Sequence, residues 1–169
     1  IHINDTHPAL FIPELMRYLL DEGGYTWDKA WDIVTRTTAY TNLTIMREAL
    51  ECWKIDLFQG LLPRIYQIVK EIDNRFRTKV WEDTHDSAYV ERTAVIEGGV
   101  VKMANLCVAA CHSVNGVSRL HSDILKENLF NDYYRLTPEK FTNVTNGIAS
   151  RSWLCQANTE LTELLKESI

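Results

Sequence analysis

Asn4-Asp5-Thr6-His7-Pro8 puts an amide, a carboxylate and an imidazole within four residues. The run sits between a short β-prone stretch, Ile1 to Ile3, and an amphipathic helix. Open α/β sheets place their ligand-binding loops at such junctions. Helix capping uses the same residue types: Asp5 or Thr6 can accept backbone N–H bonds while Pro8 opens the helix, and the two roles can coexist. His2, Asp5 and His7 make a poor metal set, because His2 on a strand faces away from neighbours of opposite parity and no fourth ligand stands out. His112 and His121, with an Asn-Gly pair between them, make no better one.

Two further runs carry amides. His112-Ser113-Val114-Asn115-Gly116-Val117 and Thr145-Asn146-Gly147-Ile148 each contain Asn-Gly, whose commonest meaning is a tight turn with positive φ. A turn is therefore the default expectation for both. Each also presents an amide beside a glycine that lets a ligand approach the backbone. Neutral amides and backbone groups suit hydroxyl-rich ligands such as sugars, because every buried hydroxyl must be paired. No Ser/His/Asp or Cys/His set, Walker loop or GxGxxG run stands out. Glu71 and Asp73 lie at i, i+2 on a helix and make a poor acid/base pair.

Amphipathic helices alternating with short β-prone stretches must position these groups. Ile12, Leu15, Met16, Leu19 and Leu20 follow a helical period that Gly23-Gly24 can stop. Thr26 can cap a second helix with Trp27, Ala30, Trp31 and Val34 on one face. After Pro63, suited to a first helical turn, Ile65, Ile68, Val69, Ile72 and Phe76 form one stripe. Thr84 to Ser87 reads as a loop. Helices are expected over Val100–Ala110, Ser118–Lys126 and Thr159–Glu167, and strands over Thr38–Thr41, Val95–Ile96 and Phe141–Val144. The fold class is helix-rich α/β. Three or four strands of such length make a thin sheet, better suited to extending one supplied by further sequence. The opening Ile1-His2-Ile3, without an initiator Met, also reads as part of a longer chain.

Eighteen Lys and Arg against 23 Asp and Glu give a net charge of -5, with the cations scattered. Nucleic acid is excluded as a partner, because binding it needs concentrated positive charge. No apolar run approaches the roughly 20 residues that cross a bilayer, and no secretory signal opens the chain. Cys52, Cys107, Cys111 and Cys155 form no CxxC pair. Cys107 and Cys111 read as buried thiols on one helix face, in keeping with a reducing cytoplasm.

Taken in order, these runs resemble the glycogen (α-glucan) phosphorylase family. The resemblance is carried by Asn4–Pro8, Ile12–Arg17, Trp27–Trp31, Ala39–Asn42, Glu48-Ala49-Leu50-Glu51 with Trp53, Leu62-Pro63-Arg64, His112–Val117 with Leu120-His121-Ser122, and Thr145–Ile148 with Trp153. It runs collinearly across almost the whole chain. It implies part of a Rossmann-like glycosyltransferase-B domain with a few short parallel strands. Residues 1–145 would be the later half of the N-terminal domain, and 146–169 the crossing into the cofactor-bearing domain. Members of this family cleave terminal α-1,4-linked glucose from a glucan with inorganic phosphate, use pyridoxal phosphate, and are dimeric and cytoplasmic. The resemblance places Asp5 and His7 in the cleft near the acceptor sugar, Val117 and Asn146 at the glucose site, and Trp153 beside the cofactor.

Two positions depart from the family pattern. Leu43 stands where the family has His, and Arg151-Ser152-Trp153 where it has Arg-Arg-Trp. No lysine here matches the family's Schiff-base lysine, so no cofactor is expected on this chain alone, and no activity. The competing expectation is a non-catalytic carbohydrate-binding or interaction module of the same descent. Self-association is expected through faces that would meet further sequence.

Overall fold

A computed structural model describes all of residues 1–169. The elements, in chain order, are β1 (His2–Asn4), α1 (Phe11–Arg17), α2 (Trp27–Thr37), β2 (Ala39–Thr41), β3 (Cys52–Lys54), α3 (Ile55–Leu61), α4 (Pro63–Thr84), α5 (Ser87–Thr93), β4 (Ile96–Glu97), β5 (Val100–Lys102), α6 (Met103–Ala110), β6 (Ser113–Gly116), α7 (Arg119–Ile124), α8 (Asn131–Leu136), β7 (Phe141–Asn143) and α9 (Thr159–Ser168). Wider π-type turns continue α1 over Tyr18–Glu22 and α7 over Leu125–Leu129, and another spans Arg151–Gln156.

Four strands make an all-parallel sheet in the order β1-β2-β6-β7. Ile3, Tyr40, Val114 and Phe141 lie side by side across it, all buried in the central apolar cluster. Each step moves the same way along the sheet. Right-handed crossovers then put the connecting helices over one face, the face these four residues fill. The alternate residues, Asn4, Thr41, Asn115 and Thr142, form a polar row on the other face.

Most helices form where the periodicity expects them. In α4 the stripe Ile65, Ile68, Val69 and Ile72 is buried, and Pro63 opens the helix. In α2 Ala30 and Val34 are buried, but the Thr26 side chain makes no capping bond. The expected helix over Val100–Ala110 is shorter. Val100–Lys102 is instead a strand, because Gly98 and Gly99, with φ of 60° and 78°, turn the chain back on β4 as a two-residue hairpin. β3 joins β5 on its other edge to complete a three-stranded antiparallel sheet that the sequence pattern did not announce. The stretch read as a loop at Thr84–Ser87 narrows to His85 and Asp86; His85 leaves α4 in the left-handed region and the Asp86 carboxylate caps α5.

Asp73 ties the two layers. Its carboxylate, on α4 and 4 % exposed, accepts the backbone N–H of Val95 at 2.7 Å and of Ile96 at 3.2 Å, and the Arg77 Nε–H at 2.8 Å. Beyond Phe141 burial falls away: Val144, Ile148 and Trp153 are 62 %, 78 % and 71 % exposed, and Thr162 alone is buried in α9.

Candidate functional site

In a parallel sheet all strands point the same way, so the loops after β1, β2, β6 and β7 gather on one edge. Backbone bonds extend the pairing past the strand ends. Asp5 N–H donates to Thr41 O at 2.8 Å, Asn42 N–H to Asn115 O at 3.0 Å, Val144 N–H to Gly116 O at 3.2 Å and Asn146 N–H to Val117 O at 3.0 Å. Asp5, Asn42, Val117 and Asn146 are thereby brought together along one wall, from positions far apart in the chain.

At the first loop Asp5 adopts φ 56°, in the left-handed region. Such a conformation costs a non-glycine residue energy and persists only where its surroundings hold it. Here the Asp5 N–H is tied to β2 and its Oδ1 accepts the Thr6 N–H at 2.8 Å, but neither Asp5 nor Thr6 caps the helix: α1 has Leu10 at its N-cap and no side-chain capping bond. Pro8 precedes α1 by three residues rather than opening it. Thr6, 3 % exposed, donates its hydroxyl to Glu51 Oε2 at 2.6 Å, and His7 Nδ1 lies 3.6 Å from Glu51 Oε1. Glu51 is the residue that sequence reasoning missed. It lies just before β3, and only the return of the chain to the first loop gives it a role beside Thr6 and His7. His7 itself points outward, its side chain 76 % exposed.

The second and third loops are bound to each other through His121. Val117 N–H donates to His121 Nδ1 at 3.3 Å, which leaves the proton on Nε2, and Nε2 donates to Asn42 Oδ1 at 3.0 Å. Asn42, fully buried, also accepts the Thr44 N–H at 3.0 Å and donates from Nδ2 to the Tyr40 hydroxyl at 3.0 Å. Each polar atom of this chain of bonds has a partner, so it is rigid. Burial pushes the His121 imidazole below its usual pKa, in keeping with the neutral form these bonds require. Burial likewise raises the Tyr40 hydroxyl, which stays protonated.

The expected Asn115-Gly116 turn does not exist: both residues end β6, and neither Gly116 nor Gly147 has positive φ. Gly116 is required for another reason. A Cβ there would stand 2.6 Å from Ser122 Oγ and 2.9 Å from Ser122 Cα, so glycine lets α7 lie against the strand. Ser122 in turn donates to Asn143 Oδ1 at 2.9 Å and holds the end of β7. The Asn115 amide is not free for a ligand either. Its Oδ1 accepts the Thr41 hydroxyl at 2.7 Å and its Nδ2 donates to Gly116 O at 3.1 Å, while Thr41 also bonds His2. Asn146 is exposed, and Trp153 lies in the exposed turn over Arg151–Gln156.

The histidines considered for metal are dispersed. β6 runs between His112 and His121, His112 bonding Thr35 O at its start, and no group of three His, Cys, Asp or Glu is placed to hold an ion. No lysine lies in the loops that follow β1, β2, β6 and β7, so the residues on this wall do not fit a lysine-linked cofactor. Of the four free cysteines, Cys107 and Cys111 are buried, and desolvation raises both thiols, Cys111 to about 11. No helix is long and apolar enough to cross a membrane.

What the wall can do is offer one carboxylate, an exposed imidazole and an amide, held on a stiff frame. That donor and acceptor set suits a neutral polyhydroxylated ligand. Comparison with known proteins shows the family. The family model described as carbohydrate phosphorylase matches residues 1–169. The chain is 52 % identical to the glycogen phosphorylase of Bacillus subtilis (strain 168), over 100 % of this chain and 21 % of that protein. It is 50 % identical to the muscle form of Homo sapiens and 49 % to that of Oryctolagus cuniculus, over 100 % of this chain and 20 % of each. It thus spans about a fifth of the length of these relatives. On sequence match across its whole length and with a parallel α/β architecture, the chain belongs to the carbohydrate phosphorylase family.

Proposed function

We propose that this chain supplies one wall of the glucan cleft of an α-1,4-glucan phosphorylase, the enzyme that releases glucose 1-phosphate from a glucan chain end. The observation that carries the reading is the in-register ending of β1, β2, β6 and β7, which aligns Asp5, Asn42, Val117 and Asn146 on one edge. On this reading Asp5 and His7 meet hydroxyls on the acceptor side, with Glu51 holding the loop through Thr6. Val117 lines the terminal-glucose site and the Asn146 amide pairs hydroxyls there. A buried hydroxyl left unpaired costs about 1–3 kcal/mol, so their contribution is binding and orientation rather than proton transfer.

Residues 1–145 would then act as the later half of one domain and 146–169 as the passage into the next. The exposed Val144, Ile148 and Trp153 support a junction there, since such side chains want cover. Pyridoxal phosphate, where the reaction uses it, would be anchored by a lysine outside this chain; by this reading it would supply a phosphate group for proton exchange. A cytoplasmic, self-associating enzyme completes the proposal, in accord with four unpaired thiols.

The test is a chimera in which residues 1–169 replace the matching segment of the Bacillus subtilis enzyme. Release of glucose 1-phosphate from maltoheptaose and phosphate is the expected result. Asp5→Asn and Asn146→Ala in that chimera should each lower kcat/KM by about tenfold or more, the equivalent of a lost sugar hydrogen bond of ~1.4 kcal/mol. A folded chimera indifferent to both substitutions would overturn the assignment of this wall.

A further inference from the structure

A second hollow lies at the other end of the sheet. About 370 Å³ in volume, it opens between α2, α4, the end of α6 and α8. Lys140 immediately precedes β7 and Ala109 closes α6 before β6, so this hollow borders the strand starts, away from the wall of Asp5 and Asn146. Its sides are mostly apolar, with Trp31, Phe76, Val80, Tyr133 and Leu136, and Thr35 and Thr137 add two hydroxyls. Phe76 and Tyr133 stack with ring centres 5.8 Å apart and planes at 23°. At the lip, the Arg75 guanidinium lies over the Trp27 ring, 5.0 Å from its centre.

The charges around it are unbalanced. Arg75 is already paired with Glu71 at 2.7 Å and Asp28 at 2.9 Å. Lys79 and Lys140 also line the hollow, and neither has a carboxylate within 4.0 Å. Lys140 Nζ donates to Val108 O and Ala109 O, both at 3.3 Å, and retains a third N–H. Burial, with the Lys79 charge adding to it, depresses the Lys140 ammonium pKa. Asp83, the one acidic residue on the lining, pairs with neither lysine. In a protein of net charge -5, two ammonium groups without a carboxylate partner beside an apolar space make a local site for an anion.

The lining also says what else the occupant must be. Mostly aromatic and aliphatic walls leave the hydroxyls of a sugar unpaired, so a second glucan site does not fit. Flat rings match flat walls, and the volume falls within the roughly 300–1,000 Å³ that small-molecule sites take. We propose that this hollow binds a planar aromatic carboxylate of about two fused rings, its ring system between Trp31 and the Phe76–Tyr133 pair and its carboxylate on Lys140 and Lys79.

The 169-residue chain can be titrated calorimetrically with 2-naphthoate and, as its neutral isostere, 2-naphthamide. Naphthoate should bind about tenfold more tightly than the amide, and Lys140→Met should reduce that preference by about fivefold or more. Lys79→Gln alters an exposed residue and should do the same without disturbing the fold, so it decides the matter if Lys140→Met is destabilised. Near-ultraviolet circular dichroism checks each variant. Equal binding of acid and amide, naphthoate binding unchanged in Lys79→Gln, or no heat up to about 10 mM ligand would each overturn the assignment. None of these results bears on the glucan wall, which lies at the opposite strand ends.

Discussion

His121 Nε2 lies 3.0 Å from Asn42 Oδ1, a bond between residues 79 positions apart that fastens the loop after β2 to the start of α7. The same ring takes the Val117 N–H, so one neutral imidazole sets the spacing of two of the four loops on the candidate wall. It is a positioning residue, and its protonation state matters for geometry.

That state gives a pH dependence with a definite sign. The folded protein holds His121 below the usual value of 6.5. The stabilisation is therefore present above about pH 6.5 and lost as pH falls through the folded value, because the unfolded chain takes up the proton first. Urea unfolding from about pH 7 to 5 should show stability falling, and falling less in His121→Gln. An imidazole resonance titrating above 6.5 would contradict the assigned tautomer.

Gly116→Ala should be destabilising by about 1–3 kcal/mol, since a Cβ at 2.6 Å from Ser122 Oγ and 2.8 Å from Ser122 N pushes α7 off the strand. Gly147→Ala has nothing within 4 Å and no positive φ, so its effect should lie within about 0.5 kcal/mol. Chemical denaturation of the two variants side by side checks the contrast.

Asp73→Ala should be among the most costly single changes. It strands the Val95 and Ile96 N–H groups together with Arg77, at a cost of about 3–5 kcal/mol for a broken buried charge pair. Arg77→Met should cost less, because the Arg77 side chain is 27 % exposed and Asp73 would keep its two backbone donors. A smaller change in Asp73→Ala than in Arg77→Met, by urea titration, would show that the carboxylate does not organise the β4 strand.

Thiol titration should find two fast groups in the native protein, Cys52 and Cys155, which are exposed. Cys107 and Cys111 should react only as the chain unfolds, since burial both shields them and keeps the thiolate scarce. Four fast thiols in native buffer would mean that α6 is not seated in the core.

Sequence alone determined what depends on neighbours a few positions away. The 3.6-residue stripe of α4, the strand at β1 and the stop at Gly23-Gly24 all follow from local periodicity and backbone freedom, and the collinear runs from Asn4 to Trp153 were enough to point to the family. Tertiary structure decided what depends on distant partners. Gly116 looked like a turn residue and is a contact for Ser122; Asn115 looked free and is spent on Thr41 and Gly116; Glu51 belonged to a family-like run but had no role until the chain before β3 brought it to Thr6. The physical reason is the same in each case. A hydrogen bond or a close approach selects residues by the atom across from them, and strand register and helix packing choose that atom rather than proximity in the chain.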